Sequence, residues 1–278
     1  MTVIGVLLLA LVVVVGVAAL VVHRLDGPSK LRLRDAANNV FARAEDAGKI
    51  CRLPAFVHDY HGDYPALRAV EAAYPDIRRE VLDLLQIKDR IMDIKDLGGN
   101  YTAGGIHTIQ WKSFVLKAGL FVDENCRRAP KTAEALRQVP GLYTAFFSIL
   151  DPHQYITPHY GYWKGFVRYH LAVFVPDDNR DNACWLRINA DPADNATGDK
   201  SLVERGEKYF WKNGQGVMFD DAFLHDAANG SGQVRVVMWL DIMRRMPLHL
   251  RLFNRFCLLF FQLDPSIRRI RKNAVTIG

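Results

Sequence analysis

Ser148-Ile149-Leu150-Asp151-Pro152-His153-Gln154-Tyr155-Ile156-Thr157-Pro158-His159-Tyr160-Gly161-Tyr162-Trp163-Lys164-Gly165-Phe166-Val167-Arg168-Tyr169-His170 is the stretch that decides how this chain reads. A second stretch, Phe219-Asp220-Asp221-Ala222-Phe223-Leu224-His225, answers it, and Arg235 follows on an apolar run. Read as a strand, residues 167–172 send alternate side chains to opposite faces. Arg168, His170 and Ala172 then share one face, and Val167, Tyr169 and Leu171 share the other. An arginine and a histidine on an apolar strand are costly to bury without partners. Arg235 poses the same problem in Val234-Arg235-Val236-Val237-Met238-Trp239-Leu240, where either a carboxylate such as Asp241 or an acidic ligand resolves it. Two turn-flanked histidines, His159 and His225, together with these arginines have the layout of a non-haem iron site that takes an acidic cosubstrate. Iron(II) accepts imidazole and oxygen ligands and needs open positions. A dicarboxylate calls for a planar, bidentate cation, which arginine supplies better than lysine.

Working outward, period-two and apolar runs at 143–150, 165–175, 183–188, 216–219 and 233–240 are separated by turns and predict strands. Residues 108–121 alternate in the same way, after a glycine-punctuated loop at 98–105. Ahead of them, Leu67, Val70, Ile77, Val81, Leu84 and Leu85 recur at helical spacing, and Pro75 splits the region into two helices. Residues 129–139 read as a short helix that stops at Pro140-Gly141. The expected architecture is mainly β with flanking helices, a small antiparallel sandwich or barrel. His58 and His61 read as ordinary surface histidines beside a turn.

Pro158-His159-Tyr160-Gly161, the Arg168-Tyr169-His170 trio, the Phe219 to His225 stretch and Arg235 together resemble the aspartyl/asparaginyl β-hydroxylase family, over roughly residues 111–244. The resemblance implies a double-stranded β-helix (jelly roll) and an iron(II)- and 2-oxoglutarate-dependent dioxygenase. It implies that His159 and His225 ligate iron. It further implies that Arg235 and Ser148 hold the distal carboxylate of 2-oxoglutarate, with Arg168 and His170 near its other end. Most oxygenases of this type add a carboxylate two residues after the first histidine, but that place is Gly161 here. The family shares the departure. Asp220 or Asp221 as a third ligand is the competing reading, beside a role in the turn or in orienting the imidazole.

The ends of the chain bear on the substrate. Residues 3–22 contain only Val, Ile, Gly, Leu and Ala. About twenty apolar residues match the roughly 30 Å hydrocarbon core of a bilayer. A cleaved signal is the alternative, although no basic region precedes the run. His23, Arg24, Lys30, Arg32 and Arg34 follow it, so the expectation is a single-pass anchor with the catalytic part on the cytoplasmic side of an inner membrane. Residues 247–278 interleave Leu248, Leu252, Phe256 and Phe260 with Arg251 and Arg255 and end in a basic cluster, Arg268, Arg269, Arg271 and Lys272. That segment is either an interfacial helix or a helix closing the core.

The expected organisation is therefore an anchor at 1–24, a linker and helical region at 25–100, the dioxygenase domain at 101–245 and a basic amphipathic segment at 246–278. The net charge of +6 gathers near the ends and suits a membrane surface rather than nucleic acid. Cys51, Cys126, Cys184 and Cys257 show no zinc spacing and read as free thiols. Within the resembled family some members act on Asp or Asn side chains and bacterial relatives on lipid acyl chains. The topology favours a membrane lipid (lipid A or ornithine lipid type) with dioxygen as co-reactant. Hydroxylation of a protein Asp or Asn is the alternative, and a non-catalytic iron or 2-oxoglutarate binder is a third reading.

Overall fold

A computed structural model describes residues 24–97 and 108–275. The apolar run at 3–22 and the loop at 98–105 lie outside the described residues. Among the described residues no helix is long and apolar enough to cross a membrane. The first helix given in full among the described residues is α1 (Gly27–Asp46), whose first turn is capped by Asp26 accepting from the Ser29 amide at 2.8 Å. Then come α2 (Leu67–Ala72) and α3 (Tyr74–Leu85), divided at Ala73 just ahead of Pro75. Strands β1 (Trp111–Ala118) and β2 (Leu120–Phe121) are followed by α4 (Asp123–Arg128) and α5 (Pro130–Arg137). The β-rich part comprises β3 (Leu142–Leu150), β4 (Gln154–His159), β5 (Phe166–Phe174) and β6 (Cys184–Asn189). After a short helix, α6 (Pro192–Thr197), it continues with β7 (Glu207–Phe210), β8 (Gly216–Phe219), β9 (Leu224–Asn229) and β10 (Arg235–Met243). Two helices, α7 (Leu248–Leu263) and α8 (Pro265–Ala274), close the chain.

The strands form two antiparallel sheets, a large one in the order β2-β1-β3-β10-β5-β8 and a small one in the order β4-β9-β6-β7. Alternation along the large sheet sets what each face does. Val167, Tyr169, Leu171 and Val173 of β5 join Val236, Met238, Leu240 and Ile242 of β10 in a core packed against Ile77, Val81 and Leu84 of α3. On the opposite face Ala172 and Val237 join Ile156, Leu186, Ile188 and Ala227 of the small sheet in a second core. Each buried Val or Leu contributes about 1.5–3 kcal/mol. A one-residue slip of β5 would drive Arg168 and His170 into the helix-covered face, so burial fixes the register.

The last two helices finish the sandwich. Leu250 and Leu258 of α7 pack with Phe41 of α1, Trp163 and Phe166 in a third core. At Gly165 a β-carbon would collide with the Asn254 side chain, whose amide donates to the Gly165 carbonyl at 2.8 Å. Glycine is what lets α7 approach so closely. In α8, Ala274 is buried and Arg271 donates to the Ala118 carbonyl at 2.8 Å. The C-terminal segment therefore does close the core. All four cysteines are free.

Candidate active site

His159 ends β4 and His225 lies near the start of β9, and the two strands pair with His159 directly opposite His225. Their rings lie 4.2 Å apart between centroids, and both are buried. An irregularity in the ladder between Ile156 and His159 sets the aim of the β4 histidine. Each ring is then fixed by its own backbone. His159 Nδ1 lies 2.8 Å from the Thr157 carbonyl and His225 Nδ1 lies 2.7 Å from the Phe223 carbonyl. A carbonyl only accepts, so Nδ1 carries the proton in both rings and Nε2 keeps its lone pair. Burial holds the His159 pKa down at about 4 and that of His225 well below the usual range, so both imidazoles are neutral. Two neutral imidazoles with Nε2 available are what a metal ion requires.

Ser148, His159, Arg168, His170, His225 and Arg235 all line one narrow cavity between the sheets, together with Trp111, Trp211 and Trp239. The cavity measures about 20 Å³, close to the room one water needs. Within it the two arginines differ. Arg168 Nη2 lies 2.7 Å from Asp221 Oδ2 and its Nε donates to Asp241 Oδ1 at 2.9 Å, while the guanidinium stacks on Trp239 with Cζ 3.6 Å from the ring centre. Arg235 is fully buried, stacks on Trp211 at 4.7 Å and has an Nε without a hydrogen-bond partner. Asp241, the carboxylate considered for Arg235, pairs across the ladder with Arg168 instead. Six residues of strand separate it from Arg235, roughly 20 Å. Burial pulls the Arg235 pKa down to about 10. His170 is buried too, and neither ring nitrogen has a partner among the described residues. Burial depresses its pKa well below the usual range.

The space beside Gly161 explains why that position carries no side chain. A β-carbon there would fall on the Asp221 carboxylate, and the Gly161 amide donates to the Asp221 carbonyl at 2.6 Å. Burial pushes the Asp221 carboxyl up to about 7, with Arg168 opposing the rise and Asp241 adding to it. Among the described residues no His, Cys, Asp or Glu completes a three-ligand cluster with the histidine pair. Trp211, Trp239 and the Asp221–Asp241 clamp were not foreseen as wall residues. The signal for two of them was present, because Trp239 and Asp241 continue the period-two series that starts at Arg235.

A larger cavity of about 200 Å³ opens on the other side of His159 and Arg168. Ile94, Leu97, Val115, Phe146, Ile267 and Ile270 are among its apolar wall residues, and Arg168, Asp221 and Asp241 supply its charges.

A two-histidine pocket between antiparallel sheets defines the class, and comparison with known proteins supplies the family. Residues 71–245 match the family described as "Aspartyl/Asparaginyl beta-hydroxylase", and the chain belongs to that family of dioxygenase-type hydroxylases. The chain is 29% identical over 192 residues to an ornithine lipid ester-linked acyl 2-hydroxylase of Rhizobium tropici, covering 69% of this chain and 62% of that protein. It is 33% identical over 143 residues to human aspartate beta-hydroxylase domain-containing protein 2, covering 48% of this chain and 33% of the relative. It thus spans less than two thirds of either relative's length. Among solved structures, a prolyl hydroxylase from Trichoplax adhaerens, in complex with a hypoxia inducible factor peptide fragment, aligns with a TM-score of 0.41 at 10% identity. That alignment covers 79% of this chain and 94% of the other.

Proposed function

We propose that the chain is an iron(II)- and 2-oxoglutarate-dependent hydroxylase that acts on an acyl chain of a membrane lipid. The observation that carries the cosubstrate is Arg235, a buried guanidinium without a carboxylate partner among the described residues, in one cavity with the histidine pair. Burying an unpaired ion costs several kcal/mol, a cost that a bound carboxylate offsets. Ser148 suits the same carboxylate. Its Oγ accepts from Trp111 Nε1 at 2.9 Å, which leaves the hydroxyl proton to donate. His170, on the same wall, has two ring nitrogens without a partner among the described residues. Arg168, on the wall shared by both cavities, has Nη1 without a hydrogen bond among the described residues, and its Asp clamp holds it still. His159 and His225 would hold iron through Nε2. Admitting a dicarboxylate requires the lining side chains to part.

When bound, iron with 2-oxoglutarate and dioxygen supplies oxidative decarboxylation: one oxygen atom goes to succinate beside released carbon dioxide, and the other goes into a C–H bond. The chain's own part is positioning and exclusion of water. The backbone carbonyls of Thr157 and Phe223 hold the two imidazoles in one tautomer, and three tryptophans wall the cavity from solvent.

An acyl chain fits the cavity beside His159, whose wall is mainly aliphatic and aromatic. The Rhizobium relative points the same way. An aspartate side chain would find there a cation, Arg168, already neutralised by two carboxylates. The run at 3–22 would anchor the protein, and the basic residues after it favour a catalytic part at the cytoplasmic face. The test is mass spectrometry of whole-cell lipids with and without the gene, combined with succinate release by the purified full chain. Succinate coupled to one added oxygen on a lipid acyl chain is the expected result. Succinate coupled to a hydroxylated peptide, with lipids unchanged, would overturn it.

A further inference from the structure

α7 is apolar on two opposite faces. Leu250, Asn254 and Leu258 point inward and are buried, while Leu248, Leu252, Phe256 and Leu259 form a stripe on the other side and are each more than half exposed. A helix that merely closed a core would present polar residues there. α7 contains no Asp or Glu, and Arg251 and Arg255 flank the stripe, exposed and without an ion pair among the described residues. On neighbouring α1, Leu33 and Val40 are exposed as well. Between α1 and α7 runs a groove of about 430 Å³, walled by Leu33, Ala36 and Val40 on one side and by Phe256, Phe260 and Phe261 on the other.

Tyr162, Trp163, Phe261 and Asp264, the last paired with Lys30 at 2.9 Å, line the groove's inner part and also line a second cavity of about 190 Å³. That cavity shares Tyr143, Arg168, Asp221 and Ile270 with the space beside His159. The groove, the second cavity and the space beside His159 thus adjoin in series from an exposed, cation-flanked helix face toward the candidate iron site, with Asp264, Arg168, Asp221 and Asp241 set among the apolar side chains. The groove's outer wall includes Leu25, three residues after the end of the apolar run at 3–22.

We infer that the α1–α7 groove is a lipid port. The α7 stripe docks on an anionic bilayer surface, and a single acyl chain of a bilayer lipid passes between the helices, by Trp163, to the cavity beside His159. Three features point to this occupant: the outer groove is walled mainly by apolar side chains, it adjoins cavities that reach His159, and the α7 face beside it carries Arg251 and Arg255, without an ion pair among the described residues and suited to anionic headgroups. The inference rests on the acyl-hydroxylase reading above and adds the route by which the substrate arrives.

The full chain, without iron, is mixed with phosphatidylcholine–phosphatidylglycerol vesicles whose acyl chains carry bromine, a contact quencher of tryptophan emission. Quenching is expected in the wild type, with a distinct part of it missing in Trp163→Phe. In a second arm, Ala36→Phe and Ala37→Phe narrow the groove. The ratio of turnover on long-chain lipid to turnover on a water-soluble hexanoyl ester should fall at least about tenfold, the effect of losing burial for two methylenes. An unchanged ratio together with quenching indifferent to Trp163→Phe overturns the port. So does oxidative coupling of Cys257, which lines the groove, to an Ala10→Cys cysteine or to a second copy of the chain, since either occupant would exclude lipid. Absence of succinate release by the wild type with iron and 2-oxoglutarate would instead sink the catalytic reading, and the quenching arm would still judge the groove.

Discussion

Arg168 and Arg235 stand at two ends of one cavity wall, both on the inner face of the large sheet, both buried and both stacked on tryptophan. At one end the charge is finished: two aspartates clamp Arg168, and Trp239 Nε1 donates to Asp241 at 3.1 Å. At the other end the guanidinium has a hydrophobic bed and no counter-ion among the described residues. The fold has stabilised the first arginine as part of its framework and left the second for an anion. The histidine pair lies between these two roles, held by backbone alone.

The largest effect expected from that layout is on the pair itself. With two imidazoles as the protein ligands, His159→Ala or His225→Ala should lower iron-dependent succinate release by more than about a hundredfold. Loss of a residue that merely supports a ligand already costs 10–100-fold. Near-normal turnover and iron affinity in either variant would remove that residue from the site.

Stability should then separate the two arginines. Arg168→Met strands Asp221 and Asp241 as buried, unpaired carboxylates, a loss of about 3–5 kcal/mol. Arg235→Met removes an uncompensated charge and should be neutral or stabilising by about 1–4 kcal/mol, while abolishing saturation by 2-oxoglutarate. Thermal unfolding of the metal-free protein distinguishes them. Equal destabilisation by both substitutions would show that Arg235 has a counter-ion after all, and the comparison would collapse.

How much of this was legible in the sequence follows from which residues face the site. β3, β5 and β10 bury a regular apolar face on helices, so their alternation was plain, and it put Arg168 and His170 together. β4 and β9, which carry the two histidines, were read as turn-flanked segments. β9 is His225-Asp226-Ala227-Ala228-Asn229 after Leu224, buried throughout, and its polar groups are consumed internally. Asp226 takes Arg187 and Tyr155, and Asn229 donates to the Leu150 carbonyl at 3.0 Å. No polar–apolar alternation survives where both faces of a strand are buried. The partner of Arg168 was hidden for another reason: Asp241 lies near Arg235 in sequence, and only the β5–β10 register sets it opposite Arg168.

Arg235→Lys sharpens the comparison at smaller scale. Lysine keeps the charge and loses the fork, so the 2-oxoglutarate concentration for half-maximal turnover should rise by about tenfold, or about 1.4 kcal/mol. The same exchange at Arg168 should leave that concentration less affected and lower the melting temperature instead, because its fork is already spent on two aspartates. Unchanged cosubstrate dependence in Arg235→Lys would shift carboxylate binding to Arg168.

The smallest expected effect is the pH dependence of the metal-free protein near neutrality. His159 has a folded pKa of about 4, below its unfolded value of roughly 6.5. His170 and His225 are depressed in the same direction by burial. Between the two pKa values the unfolded chain binds more protons than the folded one. The histidines' share of the stability is therefore fully present above about pH 6.5 and is lost as pH falls toward 4. From pH 7 to 6 the loss from His159 alone is about 0.7 kcal/mol. Iron bound at Nε2 of His159 and His225 should steepen the acid limb, since protons and metal compete for the same lone pairs. Denaturant midpoints at pH 7 and 6, with and without iron(II) under anaerobic conditions, measure this. The Asp221 carboxyl, pushed up to about 7, works the other way and recovers about 1 kcal/mol over the same interval. The histidines are therefore judged in Asp221→Asn, where a midpoint that rises on acidification would mean that they gain a proton on folding and would exclude a neutral metal-binding pair.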